Sequence, residues 1–289
     1  CGEWAGPCPW CGGKDRFRGW PASGRYWCRQ CNRKGDPIDL IMELENITFG
    51  EAVKRLAGGG IQNNDEGSPS QEFNYKDWQN RANSFIDFTV KHLKPDGIRY
   101  LATRGIDEIT AWGAGLGWNP DPVTDKGERW GLDGNIYLWA GLVIPHKHNG
   151  TITAINIRTS DGYRIVKGSQ LSKDGHRLIY KPCPWPVKGK VILFEGEIDS
   201  LTAWQVLNDP EIGIGAIPAG NLTASDQLEG YDWFVCFDND QAGIEASVKA
   251  AEMGAGVIAL PDDYKDFNQF VTKAGRSQAR GFLYRELTS

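Results

Sequence analysis

The sequence predicts a multidomain protein of mixed class, in which a zinc ribbon is followed by an α+β region and then by a parallel α/β region. Three observations predict this order: two C-x2-C pairs near the amino terminus, Asn-Gly and Asp-Gly turns between β-rich runs in the middle, and short apolar strands alternating with helical segments near the carboxyl terminus. A chain of 289 residues is long enough for two or three domains. We place the boundaries at residues 1–57 for the ribbon, 58–71 for a flexible linker, 72–189 for the α+β region and 190–289 for the α/β region.

The composition is that of a globular protein, with 40% hydrophobic and 24% charged residues. No run approaches the ~18 consecutive apolar residues of a membrane span, so an integral membrane protein is excluded. The net charge of −5 hides an asymmetry, because residues 1–34 contain seven basic and two acidic residues whereas residues 190–289 contain seven and sixteen. Such a protein binds a polyanion when its cations are segregated on one face or when metal ions bridge its carboxylates to phosphates.

Five of the seven cysteines lie within the first 31 residues, which indicates a metal site in a reducing, cytoplasmic compartment rather than a disulfide framework. Each C-x2-C turn can present two thiolates to one ion, and two turns complete a tetrahedral zinc site that stabilises a module of this size. Cys1 is an additional thiol, either unpaired or an alternative ligand. The predicted zinc ligands are Cys8, Cys11, Cys28 and Cys31.

The same segment alternates cations with aromatic residues on two predicted strands. This pattern suits single-stranded nucleic acid, because bases stack on aromatic rings while cations pair with phosphates. The alternative is that the aromatic residues form the core of the ribbon and the cations its solvated face. Our candidates for contacts with nucleic acid are Arg16, Arg18 and Trp27.

One helix is expected on each side of the linker. Residues 36–57 show an apolar helical periodicity behind Asp36 and Pro37, and residues 74–93 form an amphipathic pattern. The Gly-, Asn- and Ser-rich composition between them predicts a flexible tether.

The middle region contains signals for an antiparallel meander over residues 141–166. Asn149-Gly150 and Asp161-Gly162 separate three β-rich runs there, and such dipeptides are typical of hairpin turns. Cations decorate these strands, which favours a groove for a polyanion over an ordinary solvated face. The residues that we single out are Arg158, Arg164 and Lys167.

The last region carries acidic residues where its predicted parallel strands end. The carboxyl ends of such strands lie at one edge of the sheet and form the active site. Carboxylates held this close repel one another, so they imply divalent cations, and oxygen ligands without histidine favour Mg²⁺ or Mn²⁺. The alternative to metal binding is helix capping, which would account for Asp199 alone or for Asp266 alone. The predicted catalytic and metal-binding residues are Glu195, Asp199, Asp238, Asp240 and Asp266.

The remaining metal-binding residue types are less informative. Cys236 lies within an apolar run and is predicted to belong to the core. None of the four histidines has a ligand-like partner in the sequence. The alternative interpretation is that His146 and His148, which lie at a turn, bind a metal ion.

Several motifs together resemble a known family. Glu-Gly-x-x-Asp at 195–199, Asp-x-Asp with Ala-Gly at 238–243, and Lys265-Asp266 resemble the Toprim domain of primases, topoisomerases and some nucleases. Tyr100-Leu-x-x-Arg104-Gly105-Ile106 resembles the start of the RNA-polymerase core of bacterial-type primases, and the ribbon resembles their zinc-binding domain. The likeness covers nearly the whole chain, and the four-cysteine ribbon is more similar to phage or mobile-element primases.

The resemblance implies a DNA primase that makes short RNA primers from nucleoside triphosphates on single-stranded DNA, with one structural zinc and a replicative helicase as partner. It implies that Glu195 positions a metal or accepts the proton of the attacking 3′-hydroxyl, with Asp199 assisting. It implies Mg²⁺ ligation by Asp238, Asp240 and Asp266. Arg104 joins the meander cations as a candidate for binding nucleotide or template.

Two departures from the family pattern bear on the metal site. Asn268 stands where a second acid usually follows, so one ligand is neutral or absent, and Asn239 replaces the usual Gly between the two aspartates. The chain also has no Gly-x4-Gly-Lys-Ser/Thr phosphate loop, so a helicase is expected as a separate protein or in a further part of the full chain.

Two rival functions remain at this stage. A Toprim nuclease would cut the template without needing nucleoside triphosphates. A non-catalytic loader would bind single strands through the ribbon and recruit a helicase, and its role would survive Asp238→Ala.

Overall fold

The computed structural model describes residues 3–21, 24–45, 74–160, 162–169, 178–217, 222 and 227–288. The chain divides into two compact units, Cys1–Ser70 and Gln71–Ser289. Cys1, the expected linker 58–71 and the second half of the expected helix 36–57 lie outside the described residues. In the described part of the chain, no helix combines the length and the apolar character needed to cross a membrane.

In its described residues, the first unit is a four-stranded antiparallel sheet followed by a helix. Its elements are β1 (Trp4–Cys8), β2 (Gly12–Trp20), β3 (Arg25–Cys28), β4 (Lys34–Gly35) and α1 (Pro37–Glu45). The strands follow one another in chain order, which confirms the ribbon. Phe17 and Tyr26 stack in the small core with 5.2 Å between ring centroids, so these two aromatic residues serve the core. The carboxylate of Asp36 accepts the N–H groups of Ile38 and Asp39 and so begins α1.

The amino-terminal half of the second unit packs helices on an antiparallel sheet. Its elements are α2 (Tyr75–Lys91), α3 (Asp96–Thr103), α4 (Glu108–Gly113), β5 (Gly117–Asn119), β6 (Val123–Lys126), β7 (Asn135–Leu138), β8 (Gly141–His148), β9 (Thr151–Thr159) and β10 (Gly162–Ile165). The order is β10-β9-β8-β5, and β6 pairs with β7 separately. The side chain of Asn74 caps α2, which buries Trp78 and Phe85 in the core shared with this sheet.

The predicted meander is present with one further strand. Asn149 and Gly150 join β8 to β9 with φ angles of 50° and 78°, the left-handed pair that a tight hairpin turn requires. Strand β5, which the sequence did not predict, extends the sheet beside β8.

The carboxyl-terminal half is a parallel sheet with helices packed on it, as the alternation of strands and helices predicts. Its elements are β11 (Gly189–Phe194), α5 (Glu197–Leu207), β12 (Ile212–Ala216), β13 (Tyr231–Cys236), α6 (Gln241–Glu252), β14 (Gly256–Val257), α7 (Phe267–Ala274) and α8 (Arg276–Thr288). The order is β12-β11-β13-β14, and each of these pairings is parallel. Cys236 is buried in β13, as expected.

Two elements of this half differ from the prediction. The apolar run Val257-Ile-Ala-Leu260 predicts a strand, but β14 ends at Val257, and the carbonyl oxygens of Leu260 and Pro261 accept hydrogen bonds from the side chain of Asn239. Helix α8 was not predicted, since its polar residues and Gly281 weaken the helical pattern. It is stabilised by tertiary packing, with Phe282 and Leu283 buried in the core of the sheet.

Candidate active site and metal centre

The four predicted zinc ligands converge in the first unit. The Sγ atoms of Cys8, Cys11, Cys28 and Cys31 all lie within 4.8 Å of one another, and no other group of potential ligands within the described residues is placed to surround an ion in this way. Burial raises the pKa of Cys28, but the N–H groups of Cys31 and Gln30 outweigh it and lower this pKa to about 6. Four cysteine ligands at this spacing fit a tetrahedral zinc ion.

The ribbon residues predicted to contact nucleic acid have partners within the ribbon. Arg16 donates to a backbone carbonyl at 3.4 Å, and Arg18 pairs with the carboxylate of Glu3. Trp27 donates from Nε1 to the side-chain oxygen of Asn32 at 3.0 Å, while its ring remains 37% exposed. Trp27 therefore has an aromatic ring that is partly open to solvent, whereas both arginines have partners within the ribbon.

A cavity of about 480 Å³ opens in the second unit at the edge where the parallel strands end. Glu195 follows β11, Asp238 follows β13, Asp266 precedes α7, and Asp199 lies in the first turn of α5. The parallel topology thus brings four of the five predicted acids to one cavity.

The carboxylates of this acidic cluster repel one another. Burial and the charges of Glu195 and Asp266 raise the pKa of Asp238 to about 6, and burial and Asp266 raise the pKa of Asp199 to about 7. Burial also raises the pKa of Glu195, whose Oε2 atom is buried without a hydrogen-bond partner. A divalent cation would relieve this repulsion and satisfy that oxygen, so the cluster fits Mg²⁺ or Mn²⁺. Among the described residues, however, these oxygens are gathered less closely than the four thiolates.

Asp240 lies close enough to the other predicted acids for its charge to help raise the pKa values of Glu195 and Asp238. Its side chain is exposed and accepts the N–H of Gly243 at 3.0 Å, which caps α6, and it is not among the residues that line the cavity. Asp266 likewise accepts the N–H of Gln269 at 2.6 Å but does line the cavity. Gly243 is required by close packing, because a Cβ atom there would lie 2.2 Å from the carbonyl oxygen of Asp238. Asp240 and Asp266 thus both cap helices, and metal binding by Asp240 stays a prediction.

Asn239 ties together the two loops that carry Asp238 and Asp266. Its backbone N–H donates to the carbonyl oxygen of Lys265 at 2.7 Å. Its side-chain Nδ2 donates to the carbonyl oxygens of Leu260, Pro261 and Tyr264 at 3.3, 3.2 and 2.8 Å. The Asn-for-Gly departure within the Asp-x-Asp motif was the sequence signal for this positioning role.

Asn268, the second departure, is buried beside Asp199. Its backbone N–H donates to Asp199 Oδ1 at 2.8 Å. Its Nδ2 donates to the carbonyl oxygen of Arg104 at 2.7 Å and to the hydroxyl of Thr202 at 2.8 Å. Asn268 thus orients an acid of the cluster and anchors the Arg104 turn.

Two of the predicted cations line the acidic cavity and two do not. Arg104 and Arg158 line it, and the guanidinium of Arg158 lies 4.3 Å from the ring centroid of Tyr163. Arg164 donates to the backbone oxygen of Tyr163 and is not among the lining residues. Lys167 is exposed and lines an adjoining cavity of about 320 Å³. The sequence analysis placed Arg158, Arg164 and Lys167 in one groove. Because Tyr163 pairs with Arg158 and Arg164 pairs with Ile157, the two arginines lie on opposite faces of the sheet.

Three buried polar residues of the cavity were not expected from the sequence. Glu197 Oε1 accepts hydrogen bonds from Nε2 of His146 at 3.1 Å and from Nδ2 of Asn156. Burial raises the pKa of Glu197, but these two partners outweigh it and the pKa is lowered. His146, for which the sequence shows no partner, therefore has one 51 positions away. No local signal in the sequence indicates this contact, because it joins strand β8 to helix α5.

Comparison with known proteins supports this architecture. Residues 3–38 match the family described as the zinc-binding domain of primase-helicase, and residues 192–271 match the Toprim-like family. The DNA primase of Deinococcus radiodurans is 28% identical over 135 residues, which cover 45% of this chain and 23% of that protein. The DNA primase of Myxococcus xanthus is 24% identical over 97% of this chain and 53% of its own length. The chain thus spans about half the length of this curated relative.

A solved structure shows the same fold. The Aquifex aeolicus primase, with its zinc-binding and RNA-polymerase domains, superposes with a TM-score of 0.58 and 20% identity, covering 99% of this chain and 78% of that chain. None of these similarities tests the expected phage or mobile-element source, which stays a prediction. The chain therefore combines a zinc-binding domain of the primase-helicase type with a Toprim-like domain, and its homologues are DNA primases.

Proposed function

We propose that this chain synthesises short RNA primers on single-stranded DNA by nucleotidyl transfer. The observation that carries the proposal is the cavity in which acids from separate strand ends lie beside Arg104 and Arg158. Nucleotidyl transfer uses such a mixture, because carboxylates hold divalent cations while guanidinium groups bind the triphosphate. Homology to DNA primases supports the same reaction.

Each side chain is assigned the role that its surroundings favour. Bound Mg²⁺ or Mn²⁺ would stabilise the negative charge that develops on the transferred phosphate. Asp238, Asp240 and Asp266 are the ligands that we propose for these ions, with Asp199 assisting. Glu195 has a buried, unpartnered oxygen that can accept the proton of the primer 3′-hydroxyl or orient an ion. Arg158, packed on Tyr163, is proposed to bind the triphosphate.

The zinc ribbon is proposed to bind the template strand. Trp27 has an exposed ring on which a base can stack, and neighbouring cations can pair with phosphates. A replicative helicase is the partner that we propose, because primers are needed where the strands are opened. Adding the cognate helicase to the synthesis reaction should then raise the yield of primers.

Primer synthesis tests the proposal directly. Purified protein, Mg²⁺ and labelled ribonucleotides are incubated with single-stranded DNA templates of different sequence. We expect short labelled oligomers from the native chain and none from Asp238→Ala. Asp232→Ala is the matched control and should keep full activity, because Asp232 is an exposed aspartate of β13, the strand that Asp238 follows, and does not line the cavity.

Other outcomes would contradict the proposal. Cutting of the template without incorporation of nucleotides would identify a Toprim nuclease. Template binding and helicase recruitment that both survive Asp238→Ala, with no oligomers from the native chain, would identify a loader.

A further inference from the structure

A buried polar cluster separates two adjoining cavities, and the reaction proposed above leaves it without a role. It consists of His146, Asn156 and Glu197, whose side chains come from β8, β9 and α5 and are at most 8% exposed. His146 and Asn156 line both the cavity of about 480 Å³ and the cavity of about 320 Å³.

The hydrogen bonds of the cluster set the orientation of the Asn156 amide. A carboxylate accepts hydrogen bonds, so Asn156 must turn its NH2 group towards Glu197. The other end of the amide, Oδ1, is left as an acceptor and has no hydrogen-bond partner among the described residues. A buried acceptor of this kind favours a ligand that brings a donor, such as a hydroxyl group, and disfavours a phosphate oxygen.

The two cavities match the order of groups in a nucleotide. The larger one contains the acids and arginines that suit metal-bound phosphates. The smaller one combines the apolar side chains of Val166 and Leu178 with the polar groups of Thr153 and Ser169, a mixture that suits a base. Between phosphates and base lies the sugar, and between the two cavities lies Asn156.

We propose that Asn156 Oδ1 accepts a hydrogen bond from the 2′-hydroxyl of a bound nucleoside triphosphate and so selects ribonucleotides over deoxyribonucleotides. This inference rests on the proposed function, since it assumes that nucleoside triphosphates bind in this cavity. Glu197 and His146 act as positioning residues that hold the amide in this orientation. A deoxyribonucleotide leaves this acceptor, on a residue that is 3% exposed, without a donor, and a site that hydrogen-bonds a substrate hydroxyl discriminates against analogues that lack the hydroxyl.

The test compares equilibrium binding of three probes to the full chain by calorimetry in Mg²⁺: ATP, dATP and 2′-fluoro-2′-deoxy-ATP. We expect ATP to bind about tenfold or more tightly than dATP. The fluorinated analogue should behave as dATP does, because fluorine cannot donate a hydrogen bond. Equal affinities for ATP and dATP, or a fluorinated analogue that binds as tightly as ATP, would overturn the inference without the need for any variant.

Two variants complete the design. Asn156→Ala should bring the ratio of ATP to dATP affinity close to one, whereas Asn83→Ala, an exposed asparagine on α2, should leave it unchanged. If Asn156→Ala instead alters the preference between ATP and its analogue lacking the 6-amino group, Asn156 contacts the base and the proposal is wrong. Selective binding of ATP without primer synthesis would refute the proposed function alone, and synthesis without selectivity would refute this inference alone.

Discussion

The backbone N–H of Asn239 donates to the carbonyl oxygen of Lys265 at 2.7 Å and joins the two loops that carry Asp238 and Asp266. The side-chain amide of Asn239 adds contacts to three carbonyl oxygens of the second loop. Asp238 and Asp266 repel each other, as the raised pKa of Asp238 shows. Asn239 therefore holds together the two loops whose mutually repelling carboxylates line one cavity.

Replacing Asn239 with Ala should lower the free energy of unfolding by on the order of 1–3 kcal/mol, because several carbonyl oxygens lose their donor. Urea denaturation followed by tryptophan fluorescence measures the change. Asn135→Ala, at an exposed position of β7, serves as the control and should be neutral. A neutral Asn239→Ala variant would show that the loops hold their positions without this amide.

Without divalent cations, the second unit should lose stability as the pH rises from about 4 to about 7. The pKa of Asp199 is raised to about 7 in the folded chain, so the folded state retains a proton that the unfolded chain releases. The penalty is absent below the ordinary pKa of an aspartate and complete above pH 7, and we expect on the order of 2 kcal/mol, because Asp199 is only partly shielded from solvent. Carboxyl groups whose pKa is lowered in the folded chain, such as Glu197, change the stability only at pH values below this range.

Urea denaturation at three pH values in Mg²⁺-free buffer tests this dependence. Asp199→Asn should flatten the curve, since an amide does not titrate, and added Mg²⁺ should restore stability to the native chain at pH 7.5. A curve that rises over the same pH range would refute the assignment.

The ribbon should hold about one zinc ion per chain, because its four thiols form one tetrahedral set. Metal analysis of the purified chain checks the number. Cys31→Ser should lose most of the zinc and expose the ribbon to proteolysis. Cys183→Ser, which removes a half-buried thiol of the second unit, should retain it. A folded ribbon with less than half an equivalent of zinc would refute the site.

Arg158 and Arg164 should differ in their effect on nucleotide binding although both lie on the meander. Arg158 lines the acidic cavity and Arg164 does not. Arg158→Ala should therefore raise the KM for nucleoside triphosphates about tenfold or more, as expected for the loss of a charge-assisted contact. Arg164→Ala should change it by less than about threefold. Equal effects of the two substitutions would mean that the whole cationic strand face binds nucleotide.

Much of this fold could be predicted from local patterns. The paired cysteines, the Asn149-Gly150 turn and the apolar strands each carry their signal within a few residues, because zinc spacing, left-handed turn geometry and strand burial are local requirements. Helix α8 could not be predicted in this way, since packing rather than its own sequence stabilises it.

By itself, the sequence determined the kind of chemistry: four cysteines for zinc and strand-end carboxylates for divalent cations. Only the tertiary structure decided which residues share the cavity. It separated Arg164 from Arg158, and it brought His146 and Asn156 to Glu197. The physical reason is that side-chain direction depends on strand register and on the packing of helix α5 against the antiparallel sheet, and neither is encoded by residues that are close in sequence.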